Sequence, residues 1–114
     1  MKIKRIITLI FMLLLASCSI ESNSSSWLNT RIVAIEDNLD DSCIGEIWRY
    51  DYNDGVVYFF ISNYCKDAFN ILYNSIGFEI GSQGGIAGTS SGVISNFYEN
   101  RTNGEQIWRR PGEW

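Results

Sequence analysis

The sequence predicts a small single-domain α+β protein. Its antiparallel sheet should have four to five strands, including two hairpins, packed with an N-terminal helix and a short C-terminal helix. Three observations predict this fold: helical periodicity near residue 30, paired runs of aromatic and β-branched residues, and a length that suits one small domain. Residues 27–114 are the predicted globular domain.

A basic and then apolar segment opens the chain. Lys2, Lys4 and Arg5 precede a mostly apolar run over residues 6–15. This order is typical of a signal peptide, and the run is shorter than the roughly 20 apolar residues that a membrane-spanning helix requires. Residues 1–17 are therefore predicted to be a signal peptide.

Residues 15–18 read Leu-Ala-Ser-Cys, which resembles the lipobox of bacterial lipoprotein precursors. In such proteins the cysteine thiol receives a diacylglyceryl group, the preceding peptide bond is cut, and the new amino terminus is usually acylated. The resemblance implies that Cys18 is lipidated and begins the mature protein. An ordinary secretory signal, or a buried helix that ends in cysteine, is the alternative. Several lipid chains on one residue anchor a protein stably, so the membrane is a predicted partner.

The serine-rich residues after Cys18 are predicted to be a flexible tether, so residues 18–26 form a lipidated cysteine with its linker. Eight such residues reach roughly 16 Å, which keeps the folded domain near the membrane surface. Ser19 stands where the best-known lipoprotein sorting rule has an aspartate for inner-membrane retention. The predicted location is the cell envelope at the outer membrane, on its periplasmic or surface face.

Charge and composition argue against several functional classes. Removing residues 1–17 takes away three basic residues and no acidic one, leaving six basic against 13 acidic residues and a net charge of −7. Nucleic acid is therefore not an expected partner. Histidine, the commonest general base and a frequent zinc ligand, is absent from the sequence. No catalytic residue, metal site or cofactor is predicted, and the protein is not expected to be an enzyme.

The first element of the domain is a predicted amphipathic helix. Leu28, Ile32 and Ile35 recur at positions i, i+4 and i+7, and Ser25 or Ser26 can serve as the N-cap. The apolar stripe of this helix is expected to lie on the sheet that follows.

A β-hairpin is predicted over residues 46–62. Two runs rich in aromatic and β-branched residues flank the turn residues 53–55, Asn-Asp-Gly. A three-residue loop whose last residue is a left-handed glycine is the predicted turn. This register pairs Trp48 with Phe60, and the face that carries both is predicted to pack against the helix.

The same register places Cys43 opposite Cys65. Facing residues of antiparallel strands have Cα atoms about 4.5 to 5.5 Å apart, a distance that a disulfide accepts. With Cys18 lipidated, these two thiols remain in an oxidising envelope, and a disulfide between them is predicted. Two buried free thiols or a metal-binding pair are the alternatives.

The second half of the domain is predicted to contain a hairpin, a loop and a short helix. Residues 69–80 form the hairpin, with a turn near residues 74–77, and the glycine-rich residues 81–92 form the loop. Asn96 is the predicted N-cap of a helix that Gly104 ends. Residues 105–110 are predicted to be a final strand or a helix extension.

Several segments of the domain share an order with a known group of proteins. They are Cys43, VVYFF, CKDAFNILY, GGIAG and NFYENRTNGEQIWRR, within residues 27–110. This order is similar to short lipoproteins from Bacteroidota that carry a domain of unknown function. The most specific parts are the glycine segment and a Phe-x-x-x-Arg-Thr-Asn stretch with its tryptophan, here Phe97, Arg101, Thr102, Asn103 and Trp108. Family members usually carry acids in the glycine segment, where this chain has Gln83 and Ser91, so the resemblance does not extend a cation-binding role to this segment. It supports fold and location and implies no activity.

Two functions of different classes fit these observations. The first is a noncatalytic binding or assembly module in which Trp108 and Trp114 contact an envelope protein or a sugar ring. The second is an inhibitor of a cell-wall hydrolase, because a small acidic protein can fill a basic enzyme cleft.

Overall fold

The computed structural model describes residues 26–85 and 88–112, which form one antiparallel sheet with a helix on each face. The predicted signal peptide, Cys18, the tether before residue 26 and Trp114 lie outside the described residues. Within the described part, no helix is long and apolar enough to cross a membrane.

The sheet has six strands rather than the predicted four to five. The elements in chain order are α1 (Ser26–Asp37), a 3₁₀ turn (Leu39–Asp41), β1 (Glu46–Tyr52), β2 (Gly55–Ile61), β3 (Phe69–Asn74), β4 (Glu79–Gly84), β5 (Thr89–Gly92), α2 (Ile94–Asn100) and β6 (Thr102–Arg109). The strand order is β5-β4-β3-β2-β1-β6, and all neighbours are antiparallel. The predicted α+β class, the two hairpins and the two helices are confirmed.

The glycine-rich segment, predicted to be a loop, supplies much of β4 and all of β5. Gly81 pairs with Gly92, and Gly84 pairs with Thr89. A Cβ atom on Gly92, whose φ is +65°, would lie 2.2 Å from the carbonyl oxygen of Ile80. These glycines therefore permit a close approach of two backbone segments where β5 leads into α2. Glycine in a strand marks such close approaches as well as loops.

The turn between β1 and β2 has two residues instead of the predicted three. Asn53 and Asp54 have φ angles of 49° and 60°. Positive φ at both central residues is the signature of a type I′ turn, whose twist matches that of the flanking strands. Tyr52 therefore pairs with Gly55, and every pair along the hairpin is shifted by one residue from the predicted register.

This shift corrects the predicted face of the hairpin. A one-residue change of register moves side chains to the opposite face of one strand relative to the other. Phe60 packs beneath α1 as predicted, but Trp48 pairs with Phe59 and lies on the other face, which α2 partly covers.

Each face of the sheet has its own apolar core. The core beneath α1 contains Leu28, Ile35, Ile47, Tyr58, Phe60 and Tyr73. The core beneath α2 contains Tyr52, Val57, Phe59, Leu72, Ile94 and Phe97. Because β2 contributes to both cores, four consecutive residues of this strand are buried.

Replacing Asp54 by glycine is expected to raise the free energy of unfolding by about 0.5 kcal/mol. The relief of left-handed strain, about 1 to 2 kcal/mol, exceeds the entropic cost of glycine in the unfolded chain, about 0.4 to 1 kcal/mol. Urea denaturation measures the difference. Asp40→Gly is the matched control, since Asp40 is exposed and its φ is not positive. Equal destabilisation at both positions would contradict this explanation.

The predicted disulfide between Cys43 and Cys65 is present, with Cα atoms 5.0 Å apart. It lies just beyond the paired ends of β1 and β2. There the amide of Gly45 donates to the carbonyl of Ile61, and the amide of Tyr64 donates to the carbonyl of Cys43. The bridge therefore closes the open end of the first hairpin.

Arg110 ties the end of β6 to this region. Its guanidinium donates hydrogen bonds to the carbonyl oxygens of Leu39, Ser42 and Ile44. The same group lies 4.2 Å from the ring centroid of Tyr64. The connection from α1 to β1, the disulfide and the last strand thus form one clamped end of the domain.

The helix α2 lies earlier in the chain than predicted, because it begins at Ile94 and ends at Asn100 rather than at Gly104. Asn96 is not its N-cap; the side-chain oxygen of Asn96 accepts a hydrogen bond of 2.5 Å from the hydroxyl of Tyr52. Gly104 lies within β6, so residues 105–109 belong to a strand that begins at Thr102, and Arg110 follows that strand.

Candidate functional site

The face of the sheet that carries α2 is only partly covered, because this helix has seven residues. Trp48, Tyr50 and Tyr98 remain partly exposed on this face, and Arg101 is exposed beside them. We call these four residues the aromatic–arginine surface.

Strand β1 places Trp48 and Tyr50 two residues apart, so both side chains project from the same face. Their rings are stacked, with centroids 6.1 Å apart and planes inclined by 21°. Gly104 makes room for Tyr50, since a Cβ atom there would lie 2.5 Å from Cε1 of the tyrosine. The local sequence of both strands therefore positions the pair of rings.

Arg101 follows α2 directly, and its guanidinium contacts three rings. The distances from Cζ to the ring centroids are 4.9 Å for Tyr98, 5.1 Å for Tyr50 and 5.5 Å for Phe97. Cation–π contacts contribute about 0.5 to 1 kcal/mol at exposed positions, so the rings hold the side chain in place. In the described part of the chain, no carboxylate lies within 4.0 Å of this guanidinium.

Tyr98 connects this surface to β4. Its hydroxyl donates a hydrogen bond of 2.6 Å to Oε1 of Gln83, and its ring meets Phe59 edge-on at 5.9 Å. Burial raises the pKa of Tyr98 above the ordinary value of 10.0, which the nearby Arg101 opposes and Tyr50 reinforces. The phenol is therefore a protonated donor at neutral pH.

Stability is expected to fall as the pH rises above 10.0, in part because of Tyr98. Since folding raises this pKa, the folded state keeps a proton that the unfolded chain releases. The stability that Tyr98 contributes in this way is fully present below its unfolded pKa of 10.0. It is lost as the pH rises through its folded pKa. Urea unfolding on both sides of pH 10.0 should show a smaller decline for Tyr98→Phe than for the unchanged protein. An equal decline would contradict this role.

Polar side chains border the surface next to Trp48. One carboxylate oxygen of Glu46 accepts hydrogen bonds from the indole N–H of Trp48, at 3.2 Å, and from Gln106, at 2.7 Å. The other oxygen accepts from Asn63 at 3.1 Å. Glu46 therefore orients the indole.

A separate polar cleft of about 620 Å³ opens at the β1–β2 turn. Asp51 and Asp54 line it, and the Asp51 carboxylate accepts a hydrogen bond of 2.7 Å from Asn103. Among the residues that the structure describes, no three His, Cys, Asp or Glu side chains are grouped as metal ligands would be.

The sequence-predicted site residues lie elsewhere. Trp108 pairs with Ile47 and packs partly buried against the core beneath α1, on the face opposite the aromatic–arginine surface. Cys43 and Cys65 form the disulfide at the clamped end, whereas Cys18 and Trp114 fall outside the described residues.

The aromatic–arginine surface was missed because the predicted register turned Trp48 and Tyr50 toward α1. A two-residue turn at Asn53 and Asp54 would have placed these rings on the other face. The spacing of Phe97 and Arg101, four residues apart at the end of a short helix, was a second available signal.

The fold and its surface define a small α+β domain with one antiparallel sheet between two helices. Residues 34–110 match the family described as a domain of unknown function, DUF6970, and the chain belongs to this family. No curated protein and no solved structure matches the chain. The match confirms the predicted resemblance to proteins that carry a domain of unknown function. That those proteins are lipoproteins from Bacteroidota stays a prediction.

Proposed function

We propose that this protein is a noncatalytic binding module of the cell envelope. Cys18 anchors it by lipid at the outer membrane, and the aromatic–arginine surface binds an acidic glycan. The observation that supports the ligand is Arg101, held against three aromatic rings beside Trp48 with no carboxylate within 4.0 Å in the described residues.

The side chains of this surface suit a sugar that carries a carboxylate. Partly exposed tryptophan and tyrosine rings offer apolar contact area to the C–H groups of a sugar, together with polar edges. A guanidinium binds a carboxylate through two parallel N–H···O bonds. Since the rings already fix Arg101, the complex loses less side-chain entropy than it would with a mobile arginine.

The acidity of the protein does not prevent binding of an acidic ligand. At physiological ionic strength, charges more than about 8 Å apart in solvent are largely screened. Arg101 is in direct reach of a ligand on this surface, so its attraction is screened less than the repulsion of carboxylates farther away. Glu46, which borders the surface at Trp48, already accepts three hydrogen bonds.

A binding role is also supported by the chemistry of the surface. The four residues that form it include no cysteine, serine or histidine that could act as a nucleophile or neutral-pH base, and Glu46 beside them already accepts three hydrogen bonds. These groups can hold a ligand, and they do not form a nucleophile–base pair.

A titration of the full lipidated protein in detergent micelles with tetragalacturonate tests the proposed ligand class. Isotope-edited NMR should show shifts of the Trp48 indole N–H and the Arg101 guanidinium signals. Fully methyl-esterified tetragalacturonate, which lacks the charge, should bind more weakly.

Variants make the ligand test specific. Arg101→Lys should weaken binding about tenfold or more, because hydrogen bonds to charged groups contribute about 1.5 to 3 kcal/mol. Arg49→Lys is the matched control, since Arg49 is the β1 cation that pairs with Glu105 at 3.9 Å. Equal losses in both variants would contradict the proposed site. Capture of a basic cell-wall hydrolase without any response to the sugar would favour the inhibitor function instead.

A further inference from the structure

The turn between β3 and β4, residues 75–78, presents two large apolar side chains to solvent. Ile76 is 65% exposed and Phe78 is 66% exposed. Turns usually carry glycine, proline, asparagine, aspartate or serine at such positions, because these residues suit both the backbone and water. We call residues 75–78 the apolar turn.

Hydrogen bonds that Asn74 accepts hold the backbone of the apolar turn in one conformation. The Asn74 side-chain oxygen accepts from the amides of Ile76, at 3.1 Å, and Phe78, at 2.9 Å. The Asn74 carbonyl accepts from the amide of Gly77 at 3.1 Å. The turn is therefore closed on itself, with both apolar side chains outside.

Helix α1 fixes the same turn from the inside. The indole N–H of Trp27 donates a hydrogen bond of 2.8 Å to the carbonyl of Ser75. A Cβ atom on Gly77, whose φ is +96°, would lie 2.9 Å from the Trp27 ring. The ring thus occupies the inner side of the turn and leaves Ile76 and Phe78 facing away from the domain.

The apolar turn lies at the end of the domain where the tether joins. A cleft of about 380 Å³ is lined by Ser26, Trp27 and Arg31 of α1 together with Ile76 and Gly77. Ser26 is the first described residue, and the seven residues 19–25 separate it from Cys18. The sequence predicts that these residues form a tether, and a tether of this length spans about 15 Å, so lipid at Cys18 would bring this cleft close to the bilayer surface.

We infer that the apolar turn inserts Ile76 and Phe78 into the interface of the bilayer that holds the lipid of Cys18. This inference rests on the lipid anchor of the proposed function. Apolar side chains bind at the interface between headgroups and acyl chains, where tryptophan and arginine also find favourable surroundings. Trp27 and Arg31 flank the turn on its α1 side. The contact gives the tethered domain one fixed orientation at the membrane.

Spin labelling of the full lipidated protein tests this contact. The protein is reconstituted in vesicles of phosphatidylethanolamine and phosphatidylglycerol, with a nitroxide on Ile76→Cys or Phe78→Cys. Cys43 is bound to Cys65, and Cys18 carries the lipid, so the introduced cysteine is the thiol that reacts. Val33→Cys is the matched control, because Val33 is an exposed apolar residue, 55% accessible, on α1.

Both labels in the apolar turn should show several-fold lower collision rates with a water-soluble nickel chelate than the Val33 label, and higher rates with oxygen. Collision rates equal to those at Val33, in protein that floats with the vesicles and has the lipidated mass, would overturn the inference while leaving the anchor intact. Protein that carries no lipid and does not float would overturn both. Protection from both reagents would indicate a protein partner and would also overturn it.

Discussion

Replacing Phe97 by alanine is expected to lower the free energy of unfolding by about 3 to 5 kcal/mol. Phe97 is fully buried, and its ring centroid lies 5.3 to 5.7 Å from those of Tyr50, Tyr52, Phe59 and Tyr98. Removal of the ring leaves a cavity in the core beneath α2. Since the free energy of unfolding of natural domains is about 5 to 15 kcal/mol, this single change removes a large share of the domain's stability.

The consequences of this substitution extend to the proposed binding site. Phe97 and Ile94 are the two buried residues of α2, so loss of the ring weakens the attachment of the whole helix. Arg101 also loses one of the three rings that it contacts. The Phe97→Ala variant is therefore expected to bind tetragalacturonate less tightly than the unchanged protein does.

Equilibrium unfolding in urea measures the effect, with Phe78→Ala as the matched control. The control removes the same atoms from a side chain that is 66% exposed, and surface changes of this kind usually alter stability by less than about 0.5 kcal/mol. Similar losses in both variants would contradict the assignment of Phe97 as the centre of this core.

Removing the disulfide is expected to lower the free energy of unfolding by about 3 kcal/mol, because the unfolded chain regains the entropy of a loop. Cys43 and Cys65 are 22 residues apart, and the loop between them contains both β1 and β2. The Arg110 hydrogen bonds to the carbonyls of residues 39–44 remain, so the native fold should persist in the variant.

The double variant Cys43→Ser with Cys65→Ser tests this expectation by urea unfolding. A thiol reductant should destabilise the unchanged protein by a similar amount and should leave the double variant unaffected. An unchanged free energy of unfolding in the double variant would show that the bridge adds no stability.

The first hairpin shows how much of the fold the sequence predicts. The aromatic and β-branched runs located both strands, because such residues are enriched in strands. The register depended on the turn at Asn53 and Asp54, where two- and three-residue loops both accept this sequence. An error of one residue in the register therefore placed both Trp48 and Tyr50 on the wrong face of the sheet.

The disulfide prediction was right although the register that supported it was wrong. Cys43 and Cys65 lie beyond the paired strands, where the chain from Ser62 onward no longer follows the ladder. The disulfide prediction therefore depended on two observations, that the strand ends lie near each other and that two thiols remain. Neither observation is changed by a one-residue error in the register.

The edge strand β5 and the ring contacts of Arg101 could not be predicted from local sequence patterns. The β5 sequence Thr-Ser-Ser-Gly is exposed throughout and has no apolar alternation to indicate a strand. The contacts of Arg101 depend on how α2 crosses the sheet, which is a matter of tertiary packing. Only the spacing of Phe97 and Arg101 could have hinted at them.

Intact mass spectrometry of the protein isolated from cell envelopes tests the central claim, that this is a lipid-anchored envelope module, most directly. The anchor predicts a chain that begins at Cys18 and carries the mass of a diacylglyceryl group and an acyl group. The disulfide of Cys43 and Cys65 predicts two hydrogen atoms fewer than the reduced chain. An unprocessed amino terminus on cytosolic protein, without fatty acid mass, would contradict the claim.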